Sequence, residues 1–216
     1  MQKIELFFLM NKTDRLVYEK QLWKEGYNRI MGLDEVGRGC LAGPVVAAGV
    51  ILKPDSNIPG LRDSKTMSES ERLKLAKMIE QQSKFCIVKE CDIHEIAELN
   101  ILWASVSAMQ KCVRAASLAP DYLLVDGNKF TATDLIPHTC IVKGDDKSAS
   151  IAAASILAKV YRDQYMRTLS DEFPEYGWKT NVGYPTAKHK QALKEFGYTK
   201  YHRQSFTLGT SKKRKE

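Results

Sequence analysis

The sequence of 216 residues lacks the long apolar segments that a membrane protein needs. None of its apolar runs approaches the about 18 residues that span a bilayer as a helix. The apolar cluster from Leu6 to Met10 is short for the core of a signal peptide, and no cleavage site of small residues follows it. We therefore predict a cytoplasmic protein that does not associate with membranes.

Cysteine is sparse and follows no pattern. The chain has five cysteines, which are widely spread and include no CxxC pair. The four histidines show no zinc-type spacing with these cysteines. An odd number of scattered cysteines excludes a disulfide framework and predicts buried, reduced thiols.

The chain also lacks internal repeats and any linker long enough to separate two domains, so we expect one domain over residues 1–216. Lysine and arginine together number 33 against 26 acids, which gives a formal net charge of +7. This excess favours a polyanionic partner such as nucleic acid. Residues 207–216 include a basic run, Lys212 to Lys215, and are predicted to form a flexible tail.

The rest of the chain is organised around residues 30–52. An apolar run from Ile30 to Leu33 predicts a strand that ends at two adjacent acids, Asp34 and Glu35. Three glycines follow at positions 37, 39 and 43, and a β-branched run from Val45 to Leu52 predicts a buried strand. Glycine allows a backbone to approach a ligand closely. Paired carboxylates before a glycine-rich turn therefore indicate a site that binds a metal or performs acid–base chemistry.

Helices and strands alternate along the remaining sequence. A capping box formed by Ser68 and Glu71 begins a predicted helix that continues to Gln82. Hydrophobic periodicity predicts further helices at 13–25, 92–118, 148–169 and from 186 to 196, and strands at 84–91, 122–125 and 139–142. This order favours an α/β or α+β sheet that is covered by helices.

Carboxylates recur where these predicted strands end: Asp126 follows one strand, and Asp145 and Asp146 follow another. If the strand ends meet, the acids form a cluster that needs cations to offset its charge. Oxygen ligands favour Mg²⁺ or Mn²⁺, and two such ions suit phosphodiester hydrolysis. Neighbouring residues on a regular strand face opposite sides, so Asp34 and Glu35 share a site only if the strand twists or breaks there.

A set of motifs in the chain resembles the ribonuclease HII family. The stretch GLDEVGRGCLAGPVV at 32–46 is similar to the signature of that family. Seven further motifs follow in the family's order: DSK at 63–65, NIL at 100–102, VDGN at 125–128, VKGD at 142–145, SIAAASILAKV at 150–160, GYPT at 183–186 and HRQSF at 202–206. An ordered set over residues 30–206 is far more specific than a lone acidic pair.

The resemblance implies an α/β fold, namely a ribonuclease H-like mixed sheet flanked by helices, with a helical C-terminal region. It implies an endoribonuclease that uses Mg²⁺ or Mn²⁺, two ions during catalysis. The substrates would be RNA–DNA hybrids and ribonucleotides embedded in duplex DNA, as in ribonucleotide excision repair. Cleavage on the 5′ side of the ribonucleotide would leave 3′-hydroxyl and 5′-phosphate ends. We expect a monomer.

The resemblance also implies a role for individual residues. The acidic, metal-binding and catalytic set would be Asp34, Glu35, Asp126 and Asp145. Asp145 is chosen over Asp146 because it directly follows Lys143 and Gly144. The substrate-binding set would be Gly37, Arg38 and Gly39, which recognise the ribonucleotide, Lys65, which contacts phosphate, and Tyr184, which reads the sugar at the junction.

Two positions depart from the family pattern: Met67 replaces a leucine, and Val182 replaces a lysine beside Tyr184. Three other functions compete with the ribonuclease HII hypothesis. A resolvase- or transposase-like DNA nuclease is disfavoured by the GRG loop at 37–39 and the GYPT turn at 183–186, because such an enzyme has no 2′-hydroxyl to recognise. A hybrid-binding module without catalysis would not need the acids. Ribonuclease HIII carries a long N-terminal extension and a different residue in place of Arg38.

Overall fold

The computed structural model describes residues 14–54, 56, 58–61, 64, 67–132 and 135–206. The predicted basic tail at 207–216, the apolar cluster at 6–10 and Lys65 lie outside these residues. Across the described ranges, no helix has both the length and the apolar character needed to cross a bilayer.

The described residues form one mixed sheet of five strands in the order β3-β2-β1-β4-β5. The strands are β1 (Ile30–Val36), β2 (Val45–Ile51), β3 (Phe85–Cys91), β4 (Tyr122–Asp126) and β5 (His138–Ile141). β1 pairs antiparallel with β2, and β2 with β3, whereas β1, β4 and β5 run parallel. The predicted mixed sheet is confirmed.

Helices flank this sheet. They are α1 (Val17–Lys24), α2 (Glu69–Gln82), α3 (Ile93–Arg114), α4 (Ala149–Glu172), α5 (Trp178–Asn181) and α6 (Ala187–Phe196). Short 3₁₀ turns lie at Gly144–Asp146 and Pro174–Tyr176. The predicted capping box of Ser68 and Glu71 opens α2, and the predicted helical C-terminal region is confirmed.

Helix α3 covers one face of the sheet, and α2 and α4 cover the other. Successive side chains of the central strands point alternately to these two faces. Val45 and Ala47 of β2 join the cluster that includes Met109 of α3. Val46 and Ala48 join the cluster that includes Ile156 of α4. The buried run of β2 is therefore apolar throughout, because both of its faces are covered.

Helix α3 contains a break that the sequence periodicity did not predict. Asn100 adopts φ 61° and ψ 165°, which is non-helical backbone. Its side-chain oxygen accepts hydrogen bonds from the backbone N–H groups of Leu102 (3.1 Å) and Trp103 (3.3 Å). Asn100 thus caps the second part of the helix from within.

Close packing of α4 on β1 depends on Gly32. A methyl group at Gly32 would overlap the backbone of Ser150 and Ile151, so only glycine lets the helix lie directly on the strand. The alanines at 152–154 are fully buried on the same helix. This contact fixes the helix that supplies polar side chains to the candidate site described below.

We predict that Gly32→Ala lowers the free energy of unfolding by about 1–3 kcal/mol, because the added methyl group meets rigid backbone. Gly49→Ala on β2 is the matched control, since its new methyl group would meet the sulfur of Met31 at 2.8 Å, the movable end of a side chain. Urea denaturation measures both variants. An equal or larger loss for Gly49→Ala would contradict this account of the packing.

Candidate active site

The sheet topology brings the predicted acids to one edge. β1 and β4 run parallel with Leu33 opposite Val125, so Asp34 and Asp126 follow at the same level. β5 runs parallel beside β4 and leads into the 3₁₀ turn that contains Asp145. The carboxyl ends of parallel strands meet at one edge of a sheet, which is where α/β folds place ligand sites.

β1 does not end at the two acids as predicted. It continues to Val36, and both Asp34 and Glu35 remain paired with β2, opposite Ala48 and Ala47. The strand neither breaks nor stops there, because backbone pairing with β2 is indifferent to side-chain charge. The two side chains therefore lie on opposite faces of the sheet edge.

Asp34 is on the face covered by α4 and is only 5% exposed. One carboxylate oxygen accepts a 2.7 Å hydrogen bond from the backbone N–H of Glu35, and Ser155 of α4 bonds to the same carboxylate. The Ser155 hydroxyl lies 3.1 Å from that of Ser64, in the predicted DSK motif. Burial, and then the negative charges of Glu35 and Asp126, raise the pKa of Asp34 well above 3.8.

Glu35 is on the face covered by α3, where it lines a small cavity of about 80 Å³ with Arg38 and Asp126. Burial raises the pKa of Glu35, and the Arg38 guanidinium opposes that rise. Arg38 donates to Glu35 Oε1 at 3.2 Å and is itself half exposed. The arginine between the two glycines thus offsets part of the negative charge at the edge.

A hydrogen bond joins the side chain of Asp126 to the backbone of the turn after β5. The N–H of Gly144 donates to Asp126 Oδ1 at 2.6 Å. Arg15 donates to the carbonyl oxygen of Asp145 at 2.6 Å, which ties the turn to the start of α1. Asp145 is 6% exposed and its charge adds to the rise in the pKa of Asp34, whereas the Asp146 side chain is about half exposed and lies 3.9 Å from Arg15.

The donor chemistry of this edge fits Mg²⁺ or Mn²⁺ better than zinc, because its acidic side chains offer only oxygen ligands. Within the part of the chain that the structure describes, no three histidine, cysteine or carboxylate side chains form a preformed cage for a metal ion. Mg²⁺ is commonly held by one or two carboxylates together with water and substrate phosphate rather than by a complete protein cage. The open cluster is consistent with that mode of binding.

The glycine loop lies beside Tyr184. Gly37 has φ +97°, and a methyl group there would overlap Arg162. A methyl group at Gly39 would lie 3.9 Å from the ring of Tyr184. Tyr184 is 37% exposed, so its ring is open to a ligand at the surface. The structure therefore brings Gly39 and Tyr184 together, and Arg38 bridges this loop to Glu35.

Two buried arginines under the loop were not found by sequence reasoning. Arg162 of α4 is fully buried and donates to the carbonyl oxygens of Pro44 (3.0 Å), Val182 (2.8 Å) and Ala42 (3.0 Å). Arg203 belongs to the HRQSF motif, which was a signal for its importance but not for its contacts. Arg162 lies in a predicted helix, and its position in the sequence gave no sign that it binds these carbonyl oxygens.

The two departures from the family pattern are both buried. Met67 packs in the apolar cluster with α2, as expected for an exchange between apolar residues. Val182 packs with Met166 and adopts φ 41° and ψ 37°, a left-handed conformation that is strained for a β-branched residue. Its side chain is thus in the core, and it adds no charge beside Tyr184.

We predict that Asp34→Asn stabilises the metal-free protein at pH 8. A carboxyl group whose folded-state pKa is raised binds more protons in the native state, so stability falls as pH rises from about 4 through the raised pKa. The neutral amide avoids this loss, and its advantage should shrink towards pH 4. Thermal unfolding in EDTA at pH 4, 6 and 8 measures the effect.

The matched control is Asp146→Asn, because that side chain is half exposed and should change the unfolding temperature little at any pH. An Asp34→Asn protein that is less stable than the wild type at pH 8 in EDTA would contradict the proposed electrostatic cost.

Known proteins resemble this chain over most of its length. Residues 31–209 match the family model described as Ribonuclease HII. The chain is 50% identical over 197 residues to the ribonuclease HII of Salinibacter ruber, a match that covers 89% of this chain and 98% of that protein.

Solved structures share the fold. The ribonuclease H2 of Pyrococcus horikoshii superposes with a TM-score of 0.72 at 22% identity, over 83% of this chain and 94% of that one. A Bst ribonuclease HIII crystallised in complex with Mn²⁺ superposes with a TM-score of 0.64 at 20% identity, over 83% of this chain and 67% of that one. The predicted ribonuclease H-like architecture is therefore confirmed.

Proposed function

Because the chain belongs to the ribonuclease HII family and is a metal-dependent ribonuclease H, we propose that it cuts RNA–DNA hybrids and the 5′ side of ribonucleotides embedded in duplex DNA. The proposed products carry 3′-hydroxyl and 5′-phosphate ends. The observation that carries this proposal is the position of the acidic edge directly beside a glycine loop and an open tyrosine ring.

In this proposal the site binds divalent cations, either Mg²⁺ or Mn²⁺. Their ligands would be the four acids Asp34, Glu35, Asp126 and Asp145. The Mn²⁺ bound in the Bst ribonuclease HIII supports that choice. Bound cations would supply a water nucleophile at neutral pH and offset charge on the phosphodiester. The mutual repulsion that raises the pKa of Asp34 would be relieved at the same time.

Recognition of the ribonucleotide is assigned to the loop and Tyr184. Arg38 and Gly39 are exposed, and Gly39 has no side chain to block a sugar. Backbone groups of this loop and the Tyr184 hydroxyl would bond the 2′-hydroxyl, while the tyrosine ring would pack on the next sugar. A site built to bond a substrate hydroxyl rejects the analogue that lacks it by about 10⁴-fold. An all-DNA duplex should therefore stay uncut.

The positive charge of the chain fits a nucleic-acid substrate. Its formal net charge of +7 favours contacts with phosphates, and such binding weakens as salt rises because counterions are released. Lys65, predicted to contact phosphate, lies outside the described residues. A DNA nuclease of the same fold class would show the same salt dependence, so only the choice between ribose and deoxyribose separates the two functions.

We predict that Asp145→Asn lowers cleavage by about 100-fold or more, since it removes several kcal/mol of charge stabilisation through the cation. Asp146→Asn, one residue away and half exposed, should keep nearly full activity. Single-turnover cleavage of a duplex with one ribonucleotide measures activity, and the shift in unfolding temperature on adding Mn²⁺ measures metal binding. A reversed result, with only Asp146→Asn impaired, would transfer the role to Asp146.

We predict that Tyr184→Ala loses most activity on a duplex with a single ribonucleotide but keeps most of its duplex affinity. The ring is a surface feature, so its loss should not disturb the fold. Tyr161→Ala on α4 is the matched control, because Tyr161 is also exposed, at 42%, and its hydroxyl bonds to Glu90 instead. Cleavage rates and duplex binding are compared for both variants.

Two outcomes of that experiment count against the proposal in different ways. Full activity of Tyr184→Ala would remove only the role assigned to the tyrosine. Comparable cutting of an all-DNA duplex by the wild-type protein would remove the ribonuclease function itself.

A further inference from the structure

We propose that Arg203 is a positioning residue that orients the Gly37–Gly39 loop and thereby determines which phosphodiester is cut. This proposal rests on the proposed function, in which that loop reads the ribonucleotide. Arg203 lies in the HRQSF motif at 202–206.

The buried side chain of Arg203 contacts the backbone at two points, within the loop at Arg38 and beyond it at Gly43. Arg203 is 3% exposed. Its Nη1 donates to the carbonyl oxygen of Arg38 at 3.0 Å, and its Nε donates to that of Gly43 at 2.9 Å. Its own backbone N–H donates to Leu41 at 2.8 Å. The planar fork of a guanidinium makes such a pair of contacts directional, which an ammonium group does not reproduce.

The contact with Arg38 fixes the direction of the next backbone N–H. In a trans peptide the carbonyl oxygen and the following N–H lie in one plane and point in opposite directions. With the Arg38 oxygen held inward by Arg203, the Gly39 N–H is directed away from Arg203, on the exposed side of the loop. No acceptor for the Gly39 N–H is found among the described residues, so this donor is available to a substrate oxygen.

Arg203 lies over the ring of Phe206, 5.2 Å from its centroid, but its charge is not balanced by an acid. No carboxylate pairs with Arg203 in the described part of the chain, and its Nη2 is buried without a hydrogen-bond partner. Burial lowers the pKa of Arg203 to about 10. A buried cation with an unpaired nitrogen costs stability. Arg162, by contrast, bonds three carbonyl oxygens with all three of its nitrogens.

The same C-terminal segment also holds the backbone of Tyr184. The N–H of Thr199 donates to His202 Nδ1 at 2.9 Å, so His202 carries its proton on Nε2. Trp178 Nε1 donates to His189 Nε2 at 3.1 Å, and His202 Nε2 lies 3.1 Å from the same atom, so His189 carries its proton on Nδ1 for the carbonyl oxygen of Tyr184 (3.0 Å). Adjacent residues, His202 and Arg203, thus reach the two elements that would read the substrate.

The experiment maps cut positions in duplex DNA that carries a run of four ribonucleotides in one strand. Wild type is compared with Arg203→Lys, which keeps the charge but loses the fork, and Arg203→Met, which loses both. The control is Arg29→Lys, the same change at an arginine that pairs with Asp121 beside the start of β1, away from the acids. The distribution of cuts does not depend on the fraction of active protein, so a purely structural defect would not alter it.

Wild type and Arg29→Lys should cut chiefly on the 5′ side of the last ribonucleotide, where the next sugar is deoxyribose and has no 2′-hydroxyl to crowd the ring of Tyr184. Both Arg203 variants should spread their cuts along the run. Their rate at a single ribonucleotide should fall by about 100-fold, as expected when reacting groups are misplaced by about 1 Å. Their affinity for an all-DNA duplex should stay within about twofold of wild type, because the outer phosphate contacts are unchanged.

Folded Arg203 variants with the wild-type cut distribution would overturn this inference and leave the proposed function intact. Variants that fail to fold would also overturn it, because Arg203 would then serve the fold. A wild-type protein without preference for ribonucleotides would overturn the proposed function, and this inference with it.

Discussion

Repulsion among carboxylates at one edge of the sheet is the constraint on which the site depends. Asp34 is buried, and the charges of Glu35, Asp126 and Asp145 raise its pKa further. Such an arrangement destabilises the metal-free protein, so the surrounding structure has to impose it. The parallel strands β1, β4 and β5 impose the alignment, and the close packing of α4 allowed by Gly32 brings Ser155 to the Asp34 carboxylate.

Two buried arginines, Arg162 and Arg203, lie beneath the glycine loop. Arg162 and Arg203 hold the carbonyl oxygens of residues 38 and 42–44, so they fix a loop that has no regular secondary structure along most of its length. Under the proposed function, the edge of the sheet would present acids to cations, whereas the loop would present backbone N–H groups to a sugar beside the ring of Tyr184. The acidic edge and the loop are held by different parts of the structure, and they meet at Arg38, whose side chain pairs with Glu35.

Much of this fold could be predicted from local pattern. The apolar runs of β1, β2 and β4 and the capping box of α2 are determined by residues that are close in sequence. The acids near the ends of β1 and β4 could be located from the same apolar runs. The extension of β1 through both acids could not be predicted, because it depends on pairing with β2. The break at Asn100 and the contacts of Arg162 and Arg203 depend on tertiary placement, since each arginine bonds residues far from it in sequence. The family resemblance identified the motifs but not these contacts.

We propose that a water molecule activated at the acidic edge attacks the phosphodiester and that the 2′-hydroxyl serves only recognition. The most direct measurement is the chemistry of the ends produced from a duplex with one ribonucleotide, incubated with wild-type protein and Mg²⁺ or Mn²⁺. Mass spectrometry of the two fragments should find a 3′-hydroxyl on the upstream piece and a 5′-phosphate on the piece that begins with the ribonucleotide. A 2′,3′-cyclic phosphate, or undiminished cutting in EDTA, would contradict attack by a metal-activated water molecule.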